Sequence, residues 1–185
     1  MVVSEQDRVR WEERYRDRPT PAVSTIGLPA RFAAFEGEFP TRGRALDIAC
    51  GQGMVSVWLA RRGLEVWGFD ISPTAIHQAR ELATRAGVGE RCRFDVVDLD
   101  EGLPNGPSSG VIVCHKFRNS RLDEAIIERL APGGLLAISA LSVVGAESGP
   151  FRVGPGELTV AFTGLDVITA GEGDGEAWLL ARKRP

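Results

Sequence analysis

The sequence predicts an α/β fold in which a doubly wound, mostly parallel sheet is covered by helices on both faces, and three observations carry that expectation. Between Arg44 and Leu136, apolar runs of strand length alternate with segments of helical periodicity, as a parallel sheet with crossover helices requires. The run Arg44-Ala45-Leu46-Asp47-Ile48 leads straight into Ala49-Cys50-Gly51-Gln52-Gly53, where Gly51 and Gly53 let the backbone turn sharply and let a ligand approach it. A second strand, Leu64-Glu65-Val66-Trp67-Gly68-Phe69, ends in Asp70, seventeen residues after Gly53. An acid at that strand tip is placed to accept hydrogen bonds from both hydroxyls of a ribose.

The later elements follow from their own residues. Ser72 is a good N-cap and Pro73 a good first helical residue, because proline lacks only an amide hydrogen that the first turn leaves unpaired. Ile76, Ala79, Leu82, Ala83 and Ala86 share one helical face, and Gly87 supplies the stop. Cys92-Arg93-Phe94-Asp95-Val96-Val97 reads as a third strand closing at Asp98-Leu99, with Asp95 facing outward and Asp100-Glu101 opening a loop. Gly110 to Cys114 is a buried fourth strand with His115 at its tip. An amphipathic helix from Leu122 to Leu130 is broken by Pro132-Gly133-Gly134, and Leu135 to Ser139 forms the fifth strand. Near the C-terminus, Gly149 to Leu158 reads as a loop entering a helix. Leu165 to Thr169 and Ala177 to Arg182 then pair around the turn Gly171-Glu172-Gly173-Asp174-Gly175, an antiparallel edge that completes a seven-stranded sheet.

At the N-terminus, Asp7 to Arg18 has mixed charge at helical spacing, with Trp11 and Tyr15 four apart on one side. Pro19-Thr20-Pro21 is a connector, and Ile26 to Phe35 reads as a second helix packing on the sheet. A chain of 185 residues suits a single domain, residues 1–40 forming a helical segment and connector and residues 41–185 the core. With 22 basic against 25 acidic residues and a net charge of −3, no general affinity for nucleic acid or anionic membrane is expected. No apolar stretch reaches membrane-spanning length, and Met1 to Asp7 does not read as a signal peptide, so a cytoplasmic protein is expected. Three widely spaced cysteines, Cys50, Cys92 and Cys114, suit neither a disulfide framework nor a metal site and agree with a reducing compartment.

The glycine turn also discriminates between nucleoside ligands. A dinucleotide fingerprint needs glycine at its third position so that helix and strand pack closely beside a pyrophosphate, and here that position is Ser56. Asp47, just ahead of the turn, repels a pyrophosphate and suits a ligand that carries positive charge. On these residues the chain resembles the class I S-adenosylmethionine-dependent methyltransferases, whose first motif is an acid followed by a glycine-rich turn. Ala49 stands where many members have glycine, and Leu130-Ala131-Pro132-Gly133-Gly134-Leu135-Leu136 is a further landmark of that family. The opening segment is similar to the small tellurite-resistance and thiopurine types, which begin with a comparable tryptophan, arginine and tyrosine.

The resemblance implies a Rossmann-like fold, S-adenosylmethionine as cofactor with S-adenosylhomocysteine as product, and a small-molecule methyl acceptor carrying a sulfur, oxygen, nitrogen or metalloid nucleophile. It implies that Asp47, Ala49, Cys50, Gly51 and Gly53 form the turn around the cofactor and that Asp70 holds the ribose. Ile71 then lies against the adenine, and Asp98 and Leu99 meet its amine and a ring nitrogen. Trp11, Arg14 and Tyr15 become a lid over the methionine end, although the same helix also reads as a surface helix whose aromatics pack on the domain. His115 stands as a catalytic base, as a cofactor contact or as a strand terminator. Cys50 reads as a small residue lining the pocket and His77 as an ordinary surface residue. Arg118, Arg121 and Arg152 are candidates for an anionic acceptor, and the loop from Ser142 to Gly156 is the expected specificity loop. After the fourth strand the chain reads Cys114-His115-Lys116-Phe117-Arg118, without the Pro-Pro-Tyr segment that holds a flipped base, so duplex DNA is not the expected target. Two other readings compete: a nicotinamide-dependent oxidoreductase, which Ser56 and Asp47 oppose, and a domain that binds the cofactor for sensing or interaction without turnover.

Overall fold

A computed structural model describes residues 5–147, 149 and 151–185, with the side chains of residues 5–7 set aside. Helix α1 (Glu5–Arg16) is followed by two 3-10 segments, Val23–Thr25 and Ala30–Glu38. Then come β1 (Arg44–Ile48), α2 (Met54–Arg61), β2 (Glu65–Asp70), α3 (Pro73–Arg85), β3 (Cys92–Val96) and β4 (Ser109–His115). The remainder is α4 (Asp123–Arg129), β5 (Leu130–Ser142), β6 (Arg152–Val153), α5 (Glu157–Ala161), β7 (Asp166–Gly173) and β8 (Glu176–Arg182). The sheet runs β3-β2-β1-β4-β5-β8-β7, and the two-residue β6 pairs with β5 off that path. Pairing is parallel from β3 through β5 and antiparallel at β5–β8 and β8–β7. The seven expected strands and their antiparallel edge are therefore present, and β6 is an addition too short to leave a periodic signal.

The central strands are apolar throughout because both of their faces are covered. Val111 and Val113 point with Ala45, Val66, Leu135 and Ala137 toward Leu59, Phe32 and Phe39. Ile112 points the other way, with Leu46, Ile48 and Ile138, toward Ile126, Leu158 and Phe162. Helix α3 lays Ile76, Ala79 and Leu82 against Val57 and Phe94, and its N-cap Ser72 accepts a hydrogen bond from the Ala75 amide (3.0 Å). Gly87 takes the left-handed conformation just beyond its end (φ +73°), as its position predicts.

Three local readings are revised. The second N-terminal helix is a 3-10 segment that begins only at Ala30, after Pro29, and bends at Phe35 (φ −110°, ψ 20°); fully buried Phe32 anchors it. A run this short, entered from proline, gains little from α-helical propagation. Pro132-Gly133-Gly134 is part of β5 and not a loop before it: Gly133 N–H donates to the Lys183 carbonyl (3.0 Å) and Lys183 N–H to the Gly134 carbonyl (2.9 Å). The C-terminal hairpin turns on Asp174 and Gly175 alone, both left-handed (φ +53° and +76°), so β7 and β8 extend into the expected five-residue turn. An Asp-Gly pair of that hand matches the twist of the two strands.

The turn after β1 concentrates backbone strain. Ala49 (φ +55°), Gly51 (φ +53°) and Gly53 (φ +79°) are all left-handed, and a Cβ on Gly53 would sit 2.7 Å from the Cβ of Ala79. The left-handed region costs an L-residue about 1–2 kcal/mol. Ala49→Gly is therefore expected to raise stability by up to about 1 kcal/mol. Gly53→Ala is expected to lose at least about 2 kcal/mol, because strain and overpacking coincide. Thermal unfolding of the two variants tests the pair, and equal shifts would contradict the assigned strain.

Candidate functional site

The strand order reverses direction between β1 and β4, and in open parallel sheets that switch point leaves a crevice beyond the strand ends. A cavity of about 450 Å³ lies there. Its floor comes from the turn after β1 (Asp47, Ala49, Cys50, Gly51, Gln52) and from Asp70 and Ile71 after β2. Val97, Asp98 and Leu99 after β3, and His115, Lys116 and Phe117 after β4, form further walls. Trp11, Arg14, Tyr15 and Arg18 reach it from α1 and the residues just beyond. Every residue proposed for cofactor contact lines this one cavity except Gly53, which caps α2 immediately beneath the turn.

Two buried carboxylates dominate its electrostatics. Asp47 is 2% exposed, accepts a hydrogen bond from the Ser56 hydroxyl (2.5 Å), and burial pushes its carboxyl up to about 7 despite that bond. Asp70 is 5% exposed and accepts from the amides of Gly51 (2.8 Å) and Ser72 (3.0 Å). Burial still raises it to about 6. Among the described residues neither is in an ion pair, so each stays costly to ionise until a cation arrives. Ser56, which breaks the dinucleotide pattern, is thus the partner of Asp47.

Helix α1 is joined to this floor by polar contacts. The Glu12 carboxylate accepts from the hydroxyls of Ser72 and Thr74 (2.5 Å each) and from the Thr74 amide (3.3 Å), across the N-terminus of α3. Gln78 donates to the carbonyls of Arg18 (2.7 Å) and Tyr15 (3.3 Å), and Gln52 donates to Pro19 O (2.9 Å) and to Gln78 Oε1 (3.0 Å). Trp11 stacks on Tyr15 with ring centroids 6.4 Å apart, and the Arg14 guanidinium lies 5.2 Å from the Trp11 ring centre. The Tyr15 hydroxyl comes so close to Gly51 that a Cβ there would meet it at 2.8 Å.

Of the three acids near the end of β3, only Asp98 lines the cavity. Asp95 accepts from the Trp67 indole (2.7 Å) and pairs with Arg93, while Asp100 accepts from Asn119 (3.0 Å). His115 Nδ1 shares a hydrogen bond with the Ser139 hydroxyl (2.8 Å), and burial together with the neighbouring Lys116 ammonium lowers its pKa, leaving the imidazole neutral near pH 7. Two of the three expected anion-binding arginines are otherwise engaged. Arg118 is 8% exposed between Asp123 and Glu157, Arg152 donates to the carbonyls of Ser142 (2.6 Å) and Gly175 (3.2 Å), and neither they nor exposed Arg121 lines the cavity. No described residue of the loop 142–156 lines it either; Ser148 and Pro150 lie outside the described residues. Burial drives the Cys50 thiol up, the reverse of an activated nucleophile. His77 is exposed beside Glu81 on α3.

Comparison with known proteins meets the same geometry. Residues 45–134 match a methyltransferase domain family. A ubiquinone biosynthesis O-methyltransferase of Xanthomonas axonopodis is 30% identical over 151 residues, 74% of this chain and 62% of that protein. A ribosomal protein L11 methyltransferase of Photobacterium profundum is 28% identical over 150 residues, covering 72% and 50% of the two chains. The crystal structure of TehB from Haemophilus influenzae superposes with a TM-score of 0.71 at 18% identity, covering 94% of this chain and 67% of that one. Residues 45–134 form a methyltransferase domain, and its likenesses support the class I S-adenosylmethionine-dependent type. The chain spans only 50–62% of the length of those two curated relatives.

Within this methyltransferase domain, several site residues carried no family signal. Gln78 was visible as a polar residue on the apolar face of α3, a position that demands buried partners, but what it holds is set by α1, far away in sequence. Lys116 was visible only as a neighbour of His115. Glu12 was one charge among many on a polar helix.

Asp47 makes a pH prediction for the ligand-free protein. Its folded pKa, about 7, lies above the ordinary 3.8, so its contribution is fully present below pH 4 and is lost as pH rises through 7. Asp47→Asn, which stays uncharged, is expected to gain stability relative to the parent as pH rises from 4 to 8; denaturant midpoints measured across that range should diverge, and parallel curves would contradict the burial argument. For helix α1, Glu12→Ala is expected to speed amide exchange in residues 8–18 by about tenfold or more while exchange in β1 and β4 stays unchanged.

Proposed function

We propose that this chain moves a methyl group from S-adenosylmethionine to a small-molecule acceptor by in-line displacement. The observation that supports this best is the pair of buried, unneutralised carboxylates under a left-handed turn. Such a floor favours a ligand bearing an ammonium and a sulfonium and disfavours a pyrophosphate, which counts against a nicotinamide enzyme. In this reading Asp47 faces the positive methionine end, and Asp70 uses its remaining lone pairs for the ribose hydroxyls. Ile71 and Leu99 bracket the adenine, with Asp98 at its amine. Ala49, Cys50, Gly51 and Gly53 supply the close backbone, and Trp11, Arg14 and Tyr15 form the lid over a core that begins near residue 41.

When bound, S-adenosylmethionine supplies an electrophilic methyl group on a good leaving group. The protein's own part is to hold the acceptor on the transfer axis and to exclude water, effects worth about 7–11 kcal/mol when geometry is well fixed. His115 serves acceptors that must lose a proton: its lowered pKa keeps it neutral, and with Nδ1–H donating to Ser139 its Nε2 is free to take that proton. A small acceptor fits a cavity of about 450 Å³ that the cofactor shares. Relatives are named for ubiquinone biosynthesis and for ribosomal protein L11, so the acceptor is part of the proposal.

Calorimetry with S-adenosylmethionine, S-adenosylhomocysteine and NAD tests the cofactor, and binding of NAD alone would refute the reading. Asp70→Ala is expected to weaken S-adenosylhomocysteine at least about tenfold. Affinity for S-adenosylmethionine should fall as pH drops through 7 and then 6, because Asp47 must be ionised to pair with the positive methionine end and Asp70 to accept from the ribose hydroxyls, and both take up protons in that window. A panel of thiols, phenols, amines and oxyanions, followed by release of S-adenosylhomocysteine, separates an enzyme from a binding domain without turnover.

A further inference from the structure

The cavity is bipolar. Asp47, Asp70 and Asp98 line it, and so do three cations, Arg14, Arg18 and Lys116. Among the described residues none of the three is in an ion pair, whereas arginines elsewhere, such as Arg62, Arg91 and Arg118, are matched to acids. S-adenosylmethionine carries a single carboxylate. Arg14 or Arg18, both on the α1 side where the lid is placed, suffices for it, and Lys116 on a separate element is left over.

Lys116 is also held in position at a conformational cost. It is a non-glycine residue in the left-handed region (φ +57°), immediately after the tip of β4. Its amide donates to the Ser139 hydroxyl (3.3 Å), the same group that meets His115 Nδ1, and the Phe117 carbonyl accepts from the Cys114 thiol (3.4 Å). These contacts reverse the chain within three residues, so that His115, Lys116 and Phe117 all line the cavity. Glu176, an acid whose charge acts on His115, is itself paired with Arg31 (3.7 Å). Lys116 therefore lines the cavity between His115 and Phe117, its charge acts on the imidazole, and among the described residues it is in no ion pair. Non-glycine residues in such conformations persist where the surrounding structure over-determines them, which is characteristic of ligand sites.

We propose that the methyl acceptor is a small anion, an organic carboxylate or an inorganic oxyanion, and that Lys116 is the residue that selects it by charge. This rests on the methyl-transfer reading and names its substrate class. The three arginines downstream of Lys116 that the sequence offered for this task are committed to the fold or stand away from the cavity.

The test uses the full chain saturated with S-adenosylhomocysteine and titrated calorimetrically with benzoate, its neutral isostere benzamide, and sulfate. Benzoate is expected to bind at least about tenfold more tightly than benzamide. Lys116→Gln should abolish that preference, Lys116→Arg should retain it, and both variants should bind S-adenosylhomocysteine within about twofold of the parent, a pattern that a merely structural role for Lys116 would not produce. Sulfate binding as tightly as benzoate identifies an oxyanion site, and binding of benzoate alone identifies a carboxylate site. Equal affinity for benzoate and benzamide, absence of benzoate binding, or an unchanged preference in Lys116→Gln overturns the assignment while leaving methyl transfer intact. Failure of S-adenosylhomocysteine itself to bind appears before any anion is added and removes both readings together.

Discussion

Everything at the end of this sheet depends on two carboxylates kept in a place where water hardly reaches them and where, among the described residues, no cation pairs with them. Placing charge there is costly, and the surrounding structure offsets only part of the cost. The Ser56 hydroxyl donates to Asp47, and the amides of Gly51 and Ser72 donate to Asp70. Both acids still sit well above their ordinary pKa, so the remaining cost is available to whichever cation enters. A fold that buries its own charge incompletely in this way is less stable alone than it need be, and the deficit becomes binding selectivity.

The parallel sheet is what makes such an arrangement affordable. Strands β1 and β4 part at the switch point, so the ends of four adjacent strands, β1 to β4, converge on one crevice while their interiors remain a continuous apolar core. The left-handed turn at Ala49, Gly51 and Gly53 brings bare backbone close to the two acids, and Gly51 lends its amide to Asp70 across that gap. Core packing thus sets the geometry of the acids without touching their chemistry.

Much of this was legible in order along the chain. The strand and helix alternation, the acid ahead of the glycine turn, Asp70 and the choice of Asp98 over Asp95 and Asp100 all follow from local pattern, because each is fixed by residues within one or two elements of itself. What local pattern misses depends on contacts across the fold. The 3-10 character of residues 30–38 reflects Pro29 and the anchoring of Phe32 under the sheet. Pro132-Gly133-Gly134 stays in the sheet because Lys183, about fifty residues on, pairs with it. Arg118 and Arg152 look like free cations in sequence, yet acids and carbonyls from other elements consume them. Lys116 carries the opposite lesson: in sequence it is a neighbour of His115, and only the fold shows that it lines the cavity and is in no ion pair among the described residues.

The attachment of α1 completes the picture in a different physical currency. Its helix is strongly polar, Val9, its one aliphatic position with a described side chain, is half exposed, and its apolar contact with the domain comes from the part-buried rings of Trp11 and Tyr15. What holds it is a set of hydrogen bonds that Glu12 accepts from Ser72 and Thr74 at one end of α3 and that Gln52 and Gln78 donate to carbonyls of α1 and the connector. Hydrogen bonds exchanged with water contribute little net free energy each, so a segment attached by them opens at far lower cost than one packed into a core. The acids are therefore fixed by the ends of β1 and β2, whereas α1 is attached by hydrogen bonds whose release exposes Trp11 and Tyr15 but disturbs no strand.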